Sequence, residues 1–580
     1  MELGVYAVVG IAVIVGVAYF SRRLGVAAPI ILVIVGVVLS YLPGVPFIEV
    51  PHEIVLDGVL PPILYAAAIS VPVVDFRRNL GTITSLSVVL VIVTAFATGF
   101  LLYSLLPDLN LAAAIALGAI ISPPDAVAAT SIGRRLGLPP RILTMLEGEG
   151  LVNDATALVL LRSATAAAAG GLLTPWATVT DFLYAVVVAI VVGLVIGFVT
   201  VWVRTKLHDP VFDTAISFAV PFAAFMPTEY LNASGVLAVV VAGLYTGHAS
   251  PRSFSAQTRI SDRINWRTVQ FLLENAVFLL IGLEIRTLIE HVDPTILGVW
   301  DAVGIGAIAT VALVGIRFLW MGPLVMSLQR RAQRAEKQTY QMSLALMYFR
   351  TVPLRSSFEA RRLRRAERQY DRRRSDLEQL RRESIDWRGG LVLSWSGMRG
   401  VVTLAAAQSL PEDTPYREQL ILIAFTVAVL TLVIQGGTLP ALIRLLRIEG
   451  IDQAQDHREL AELLDEISYA GLAVLDDPNE TLGSTEEIDP DVIERVRQAS
   501  FLRAESVWER THELDSPDES SLRATPHHLY RTLRLAVVDA ERERLLEAAS
   551  RGAYPSRVLR EAQSMLDLED TRLRPARPSH

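Results

Sequence analysis

Glu147-Gly148-Glu149-Gly150-Leu151-Val152-Asn153-Asp154 sets three carboxylates and an amide directly ahead of an apolar run, Ala155 to Leu161. Carboxylates at the mouth of such a run are out of place in a soluble core and costly inside a bilayer. Two readings compete. In one, a surface loop ends at Asp154 and the Asp caps a following helix. In the other, the acids lie within a membrane span, and the surrounding chain has to say why.

The chain has 580 residues, long enough for more than one domain. Slightly over half of it is hydrophobic and its mean hydropathy is positive, which is unusual for a soluble protein. The distribution is uneven: residues 1 to about 327 are mostly apolar runs, whereas residues from 451 onward are strongly charged. The net charge of −7 therefore averages two different regions and says little about partners. The lack of cysteine excludes disulfides, thiolate metal sites and Cys nucleophiles. The first apolar run reads as a transmembrane helix and not as a removable signal, because it lacks a basic lead and a small-residue cleavage site.

A helix needs roughly 17–25 mostly apolar residues to span the hydrocarbon. By that rule about thirteen spans lie near 3–20, 25–42, 55–73, 84–106, 111–132, 142–169, 181–203, 211–227, 232–248, 269–289, 300–326, 389–410 and 417–445. Arg22-Arg23, Arg77-Arg78, Arg134-Arg135 with Arg141, and Arg204 with Lys206 fall in alternate connections. Arg252, Arg259, Arg263 and Arg267 fall in a later loop on the same side, while 43–54, 107–110, 170–180 and 228–231 have no Lys or Arg. Positive loops face the cytoplasm. The expectation is an all-α polytopic protein of the cell membrane, with its N-terminus outside and its C-terminus cytoplasmic.

Four regions follow: spans one to eleven in 1–327, a basic cytoplasmic helical loop in 328–388, spans twelve and thirteen in 389–446, and a cytoplasmic helical tail in 447–580. The loop contains Arg361-Arg362, Arg364-Arg365 and Arg372-Arg373-Arg374 with acids interspersed, so it reads as a charged helix. It is either a solvated spacer or a contact for anionic headgroups. The tail has helical patterns near 460–472 and 528–548 and no nucleotide loop, metal cluster or catalytic constellation, leaving regulation or assembly as its expected role. No cofactor and no nucleic-acid partner is expected.

Two spans are interrupted. The fifth contains Ser122-Pro123-Pro124-Asp125, where consecutive prolines remove two backbone donors, and the twelfth contains Gly397-Met398-Arg399-Gly400. Broken backbone at membrane depth is tolerated only where protein or a water-filled cavity satisfies it. Paired broken helices in two inverted halves point to a binding site near the midplane. Spans one to six and eight to thirteen fit such halves. Asp125 can neutralise the positive N-terminal ends of half-helices, and Arg399 can offset the negative C-terminal ends. The competing reading makes Asp125 a loop-end cap and puts Arg399 at the cytoplasmic boundary. Leu111 to Pro124 is only about 21 Å of helix, which argues against that reading for Asp125.

With span six starting near Ile142, Glu149 and Asp154 lie inside it, and Asn153 sits beside Asp154. Arg317 stands alone in the eleventh span, and an intramembrane arginine needs a carboxylate. Glu149 is the candidate, which leaves Asp154 free to take either a proton or an alkali cation. An occupied site is near neutral and crosses, while an empty one is charged and resists crossing, so competition alone yields exchange. Asp154, Asp125, Asn153 and backbone carbonyls supply the oxygen ligands that a hard cation needs. Arg162, two turns further on, either reaches the outer interface or pairs locally. Gly193 and Gly197 in span seven give a small-xxx-small pair, a dimer face or ordinary packing within the bundle.

Gly148-Glu-Gly-Leu-Val-Asn-Asp154 resembles the Gly-Glu-Ser-x-x-Asn-Asp motif of the cation/proton antiporter-1 family, the sodium/proton exchangers. Ser122-Pro-Pro-Asp-Ala-Val-Ala128 is similar to its crossover segment, Leu60-Pro-Pro-Ile-Leu64 to its third-span motif, and Ser394-Trp-Ser-Gly-Met-Arg-Gly-Val-Val402 to its late arginine motif. The resemblance implies thirteen spans, a homodimer in the membrane and electroneutral exchange of one cation for one proton. It implies that Asp154 is the ion- and proton-binding carboxylate, that Asp125 and Asn153 shape the site, and that Glu149 and Arg317 form a supporting ion pair. Departures fall on the site: Gly150 replaces the family's Ser, Pro124 its Thr, and Ala66 stands where many members have an acid.

The expected function is antiport of Na⁺, or K⁺ or Li⁺, against H⁺, serving pH and sodium homeostasis. An uncoupled cation channel on the same acids is the alternative. An intramembrane hydrolase lacks any Gly-x-Ser-x-Gly or His-Glu-x-x-His signature.

Overall fold

A computed structural model describes residues 2–24, 26–43, 50–168, 175–207, 209–351 and 385–448, with single residues or short pieces within 361–370, 491–494, 535–543 and 566–568. Contacts divide the chain into two compact units, Met1–Ile448 and Glu449–His580. In the second unit residues 535–541 are helical. The pattern expected near 460–472 lies outside the described residues.

The first unit is helical throughout, with no strand among the described residues. Its helices are α1 (Glu2–Leu24), α2 (Ala28–Ser40), α3 (Leu60–Ser70), α4 (Val73–Thr84), α5 (Val91–Leu105), α6 (Leu111–Ile121), α7 (Ala126–Arg135) and α8 (Pro140–Ala168). Then come α9 (Pro175–Arg204), α10 (Pro210–Tyr230), α11 (Gly235–Ser253), α12 (Ala256–His291), α13 (Val299–Thr351), α14 (Trp387–Trp395), α15 (Val401–Gln408) and α16 (Arg417–Leu446). By length and composition six helical stretches among the described residues can cross a membrane, and Tyr6–Ser21, Ala28–Ser40 and Ile54–Ser70 are shorter apolar helices.

Several boundaries differ from the sequence reading, each for a local reason. Pro61-Pro62 does not break the third stretch: a wide π-helical segment, Ile54–Val59, leads into α3, and the prolines sit in its first turn, where their missing N–H groups cost least. The fourth stretch starts earlier, since α4 continues through a second π-helical segment, Ser85–Leu90, into α5. Arg259, Arg263 and Arg267 are not in a loop. Ser255 accepts a hydrogen bond from Thr258 N and starts α12 there, and Arg252 lies in α11. The basic segment expected from 328 begins as a continuation of α13 to Thr351, and most of 352–384 lies outside the described residues.

The two larger of three hydrophobic clusters among the described residues organise the bundle. One draws on α1, α2, α5 to α8 and α12 to α16. The other is built from α3, α4, α9, α10 and α11 with Trp266 of α12. Helix α8 belongs to both, giving Leu146, Leu160 and Leu161 to the first and Leu151 and Ala155 to the second. Gly193 and Gly197 face α11, where an added Cβ at Gly193 would lie 2.5 Å from Ala238 O, so the small-residue pair serves packing within the chain. The outer side of α9, including Leu183, Val187, Val191 and Phe198, is exposed and apolar, as a lipid-facing surface is.

Candidate ion site at the crossing of two unwound helices

Ile121 ends α6 because Pro123 and Pro124 cannot donate, and Asp125 restarts the helix as α7 by accepting from Val127 N at 2.8 Å. The competing reading of Asp125 as a cap is thus correct in kind, but the cap sits at the unwound middle of a span. Likewise α14 ends at Trp395 and α15 begins after Gly400. The two unwound segments touch: Asp125 N donates to Met398 O at 2.6 Å. Gly400 is required at this contact, since a Cβ there would lie 2.1 Å from Asp125 Oδ2.

Arg399 is buried, 2% exposed. Its Nε donates to Ile121 O at 3.0 Å, its Nη2 to Ser122 O at 3.3 Å, and its Nη1 to Gly397 O. These carbonyls close the C-terminal ends of α6 and α14, where the helix dipoles are negative. Its backbone N donates to Thr431 Oγ1 of α16 at 3.0 Å.

The three carboxylates of the 147–154 stretch have three different fates on α8. Glu147 pairs with Arg134 at the end of α7. Glu149 takes both ends of the Arg317 guanidinium, at 2.6 and 2.8 Å, and Arg317 Nε also reaches Leu393 O. That pair is sealed, with side chains 2% and 3% exposed. Asp154 is half-buried at the middle of α8, and among the described residues it has no ion pair and no side-chain hydrogen bond. The charged group it senses is Asp125. Asn153 links the two helices: its Nδ2 donates to Pro124 O at 2.6 Å, and its Oδ1 accepts from Asp154 N. Gly150 also faces the crossing, where a Cβ would meet Ala126 Cβ at 2.7 Å.

The arrangement offers carboxylate and carbonyl oxygens beside backbone that the helix has released. Among the described residues no group of three or more His, Cys, Asp or Glu is placed to hold a resident metal. Carboxylate and carbonyl oxygens are the ligand types that a hard cation takes.

The family model of the transmembrane sodium/hydrogen exchanger matches residues 9–445. The chain belongs to the sodium/hydrogen exchanger family. It is a multi-pass membrane transporter, not an enzyme, and its activity is cation/proton exchange. An uncharacterized Na(+)/H(+) exchanger of Mycobacterium tuberculosis is 29% identical over 97% of this chain and 94% of its own length. The Na(+)/H(+) antiporter ApNhaP of Aphanothece halophytica is 27% identical over 78% of this chain and 75% of its own. The solved sodium proton antiporter MjNhaP1 of Methanocaldococcus jannaschii shares the fold, with TM-score 0.53 and 18% identity over 77% of this chain and all of that one.

In this exchanger two further polar residues stand near the crossing that the sequence reading passed over. Glu274 of α12 accepts from Gln270 at 2.7 Å and lies within electrostatic reach of Asp125 and Arg134. An acid inside the tenth apolar stretch was the available signal. Gln435 of α16 lies one turn beyond Thr431, 1% exposed, and neither of its amide atoms has a partner among the described residues. A lone Gln in an apolar run carries no comparable signal.

Proposed function

We propose that this exchanger trades one monovalent cation for one proton by competition at Asp154, with sodium as the expected cation and potassium or lithium as the other candidates. The observation that carries the reading is the contrast along α8. Glu147 and Glu149 are both neutralised by arginines, whereas Asp154 has no basic partner among the described residues. A buried carboxylate without a basic partner is stable when it binds a proton or a cation and costly when empty. Asp125 and Asn153 shape the site, Glu149 and Arg317 hold α8 against α13, and Arg399 offsets the helix ends. Oxygen ligands come from Asp154, Asp125 and nearby backbone carbonyls other than those that Arg399 and Asn153 occupy. Gly150 and Pro124 supply no hydroxyl there, so selectivity rests on carboxylates and carbonyls. A homodimer, about thirteen spans, an outside N-terminus and a cytoplasmic tail complete the reading, the orientation following from the positive loops.

The test is Asp154→Asn in proteoliposomes loaded with a pH-sensitive dye. The variant inserts and folds but moves no protons in response to a sodium gradient with the membrane potential clamped. Retained exchange would remove Asp154 from the mechanism. Proton movement in the wild type under the clamp also separates exchange from uncoupled conduction.

A further inference from the structure

A cavity of about 260 Å³ lies at the C-terminal end of α8, the end opposite the Arg134–Glu147 pair. Leu158, one turn after Asp154, lines it, together with Arg162 one turn further on. Facing them are His52, Glu53 and Asp57 from the segment leading into α3, and Glu229 from the end of α10. Arg162 Nη2 donates to Glu229 Oε2, and its Nη1 donates to Ala233 O at 3.2 Å.

We propose that the Arg162–Glu229 pair is a charged gate on this cavity. Arg162 is a tethered cation that occupies the least exposed carboxylate lining this cavity, inward of the exposed Glu53 and Asp57, so access to Asp154 from this face requires the pair to part. The inference rests on Asp154 being the exchange site.

Three observations support it. Glu229 is fixed in place independently of Arg162: its Oε1 accepts from Gly235 N at 2.9 Å, and Gly235 leaves room for it, since a Cβ there would lie 2.9 Å from Oε1. The pair is open to water, with side chains 50% and 24% exposed, unlike the sealed Glu149–Arg317 pair. Pairs of such exposure contribute about 1 kcal/mol or less and exchange partners readily. The pair also ties the end of α8 to the α10–α11 corner, through Glu229 and the Ala233 carbonyl. Around it stand Glu53, Asp57 and Glu229 against Arg162, with His52 beside Glu53. Asp57 lies within the field of the Arg162 guanidinium. The cavity is therefore net acidic, and Arg162 is the charge that opposes a cation there.

The experiment titrates sodium on each face in turn, using right-side-out and everted membrane vesicles. Arg162→Gln lowers KM at the cavity face about fivefold, and Glu229→Gln raises it by about the same factor. Neither moves KM at the other face, which also reports intact folding. Arg162→Lys keeps the charge and stays near wild type. Shifts in the same direction, equal shifts at both faces, no shift, or complete loss of exchange in Arg162→Gln would overturn the gate. Failure of the underlying reading is distinct: there the wild type itself shows no sodium-driven proton movement, or Asp154→Asn retains it.

Discussion

Two of the groups of buried charge among the described residues are built differently. At the cytoplasm-facing end of α9 in the proposed orientation, Arg204 is fully buried and takes two carboxylates, Asp213 at 2.6 and 2.8 Å and Asp262 at 2.6 Å. Ser217 and the Phe254 ring close its remaining sides, and Trp266 donates to Ser217. Every ionised group there has an opposite charge. At the crossing, Glu149 and Arg317 are matched in the same way, but Arg399 is met by carbonyls alone and Asp154 by no cation among the described residues. The first group is a staple between α9, α10 and α12. The second sets a staple, Glu149 with Arg317, beside a carboxylate that has no cation partner among the described residues, and in the proposed mechanism a cation or proton neutralises it.

Removing Arg204 or Arg317 gives the sharpest test of this contrast. Either change to Ala strands buried carboxylates and costs about 3–5 kcal/mol of stability. Both variants should therefore show lower thermal transitions in detergent. Arg204→Ala molecules that stay folded should keep the wild-type KM for sodium, whereas Arg317→Ala should impair exchange, because Glu149 would then become a second unpaired acid less than two turns from Asp154. Equal transport defects in the two would erase the distinction.

A smaller effect is expected at Gly400. Its Cβ would lie 2.1 Å from Asp125 Oδ2, so Gly400→Ala must push the two unwound segments apart, at a cost of about 1–3 kcal/mol. The maximal exchange rate should fall well below wild type in proteoliposomes while the protein remains monodisperse. Gly150→Ser should act most gently. The new Cβ would lie 2.7 Å from Ala126 Cβ, which is fixed to the α7 backbone, so α7 and α8 must shift slightly apart, while the hydroxyl adds an oxygen at the crossing. A change in the sodium-to-potassium preference in a cation competition assay, with stability lowered by about 1 kcal/mol, is the expected outcome.

Much of the helical framework was legible in the sequence because apolar length and helix breakers are local signals. Pro123-Pro124 and Gly397–Gly400 announced the two interruptions, and the structure unwinds both. The π-helical segment before Pro61 was not legible, because a wide turn that accommodates proline looks in sequence like a break. The continuation of α12 toward Ser255 was also hidden, since a charged helix end beyond an apolar run reads as loop. At the site, the acids and arginines could be found as intramembrane charges, but how they divide between partners is a matter of which helix faces which. Gln435 and Thr431 gained their places near Arg399 only through the packing of α16 against the crossing.

The most direct measurement of the central claim is the apparent KM for sodium as a function of pH on one face, in proteoliposomes of fixed internal composition. Competition for one carboxylate predicts that KM rises as pH falls, approaching tenfold per pH unit at the acid limit, with the maximal rate unchanged. A KM that is independent of pH, with protons lowering only the maximal rate, would mean that cation and proton do not share Asp154.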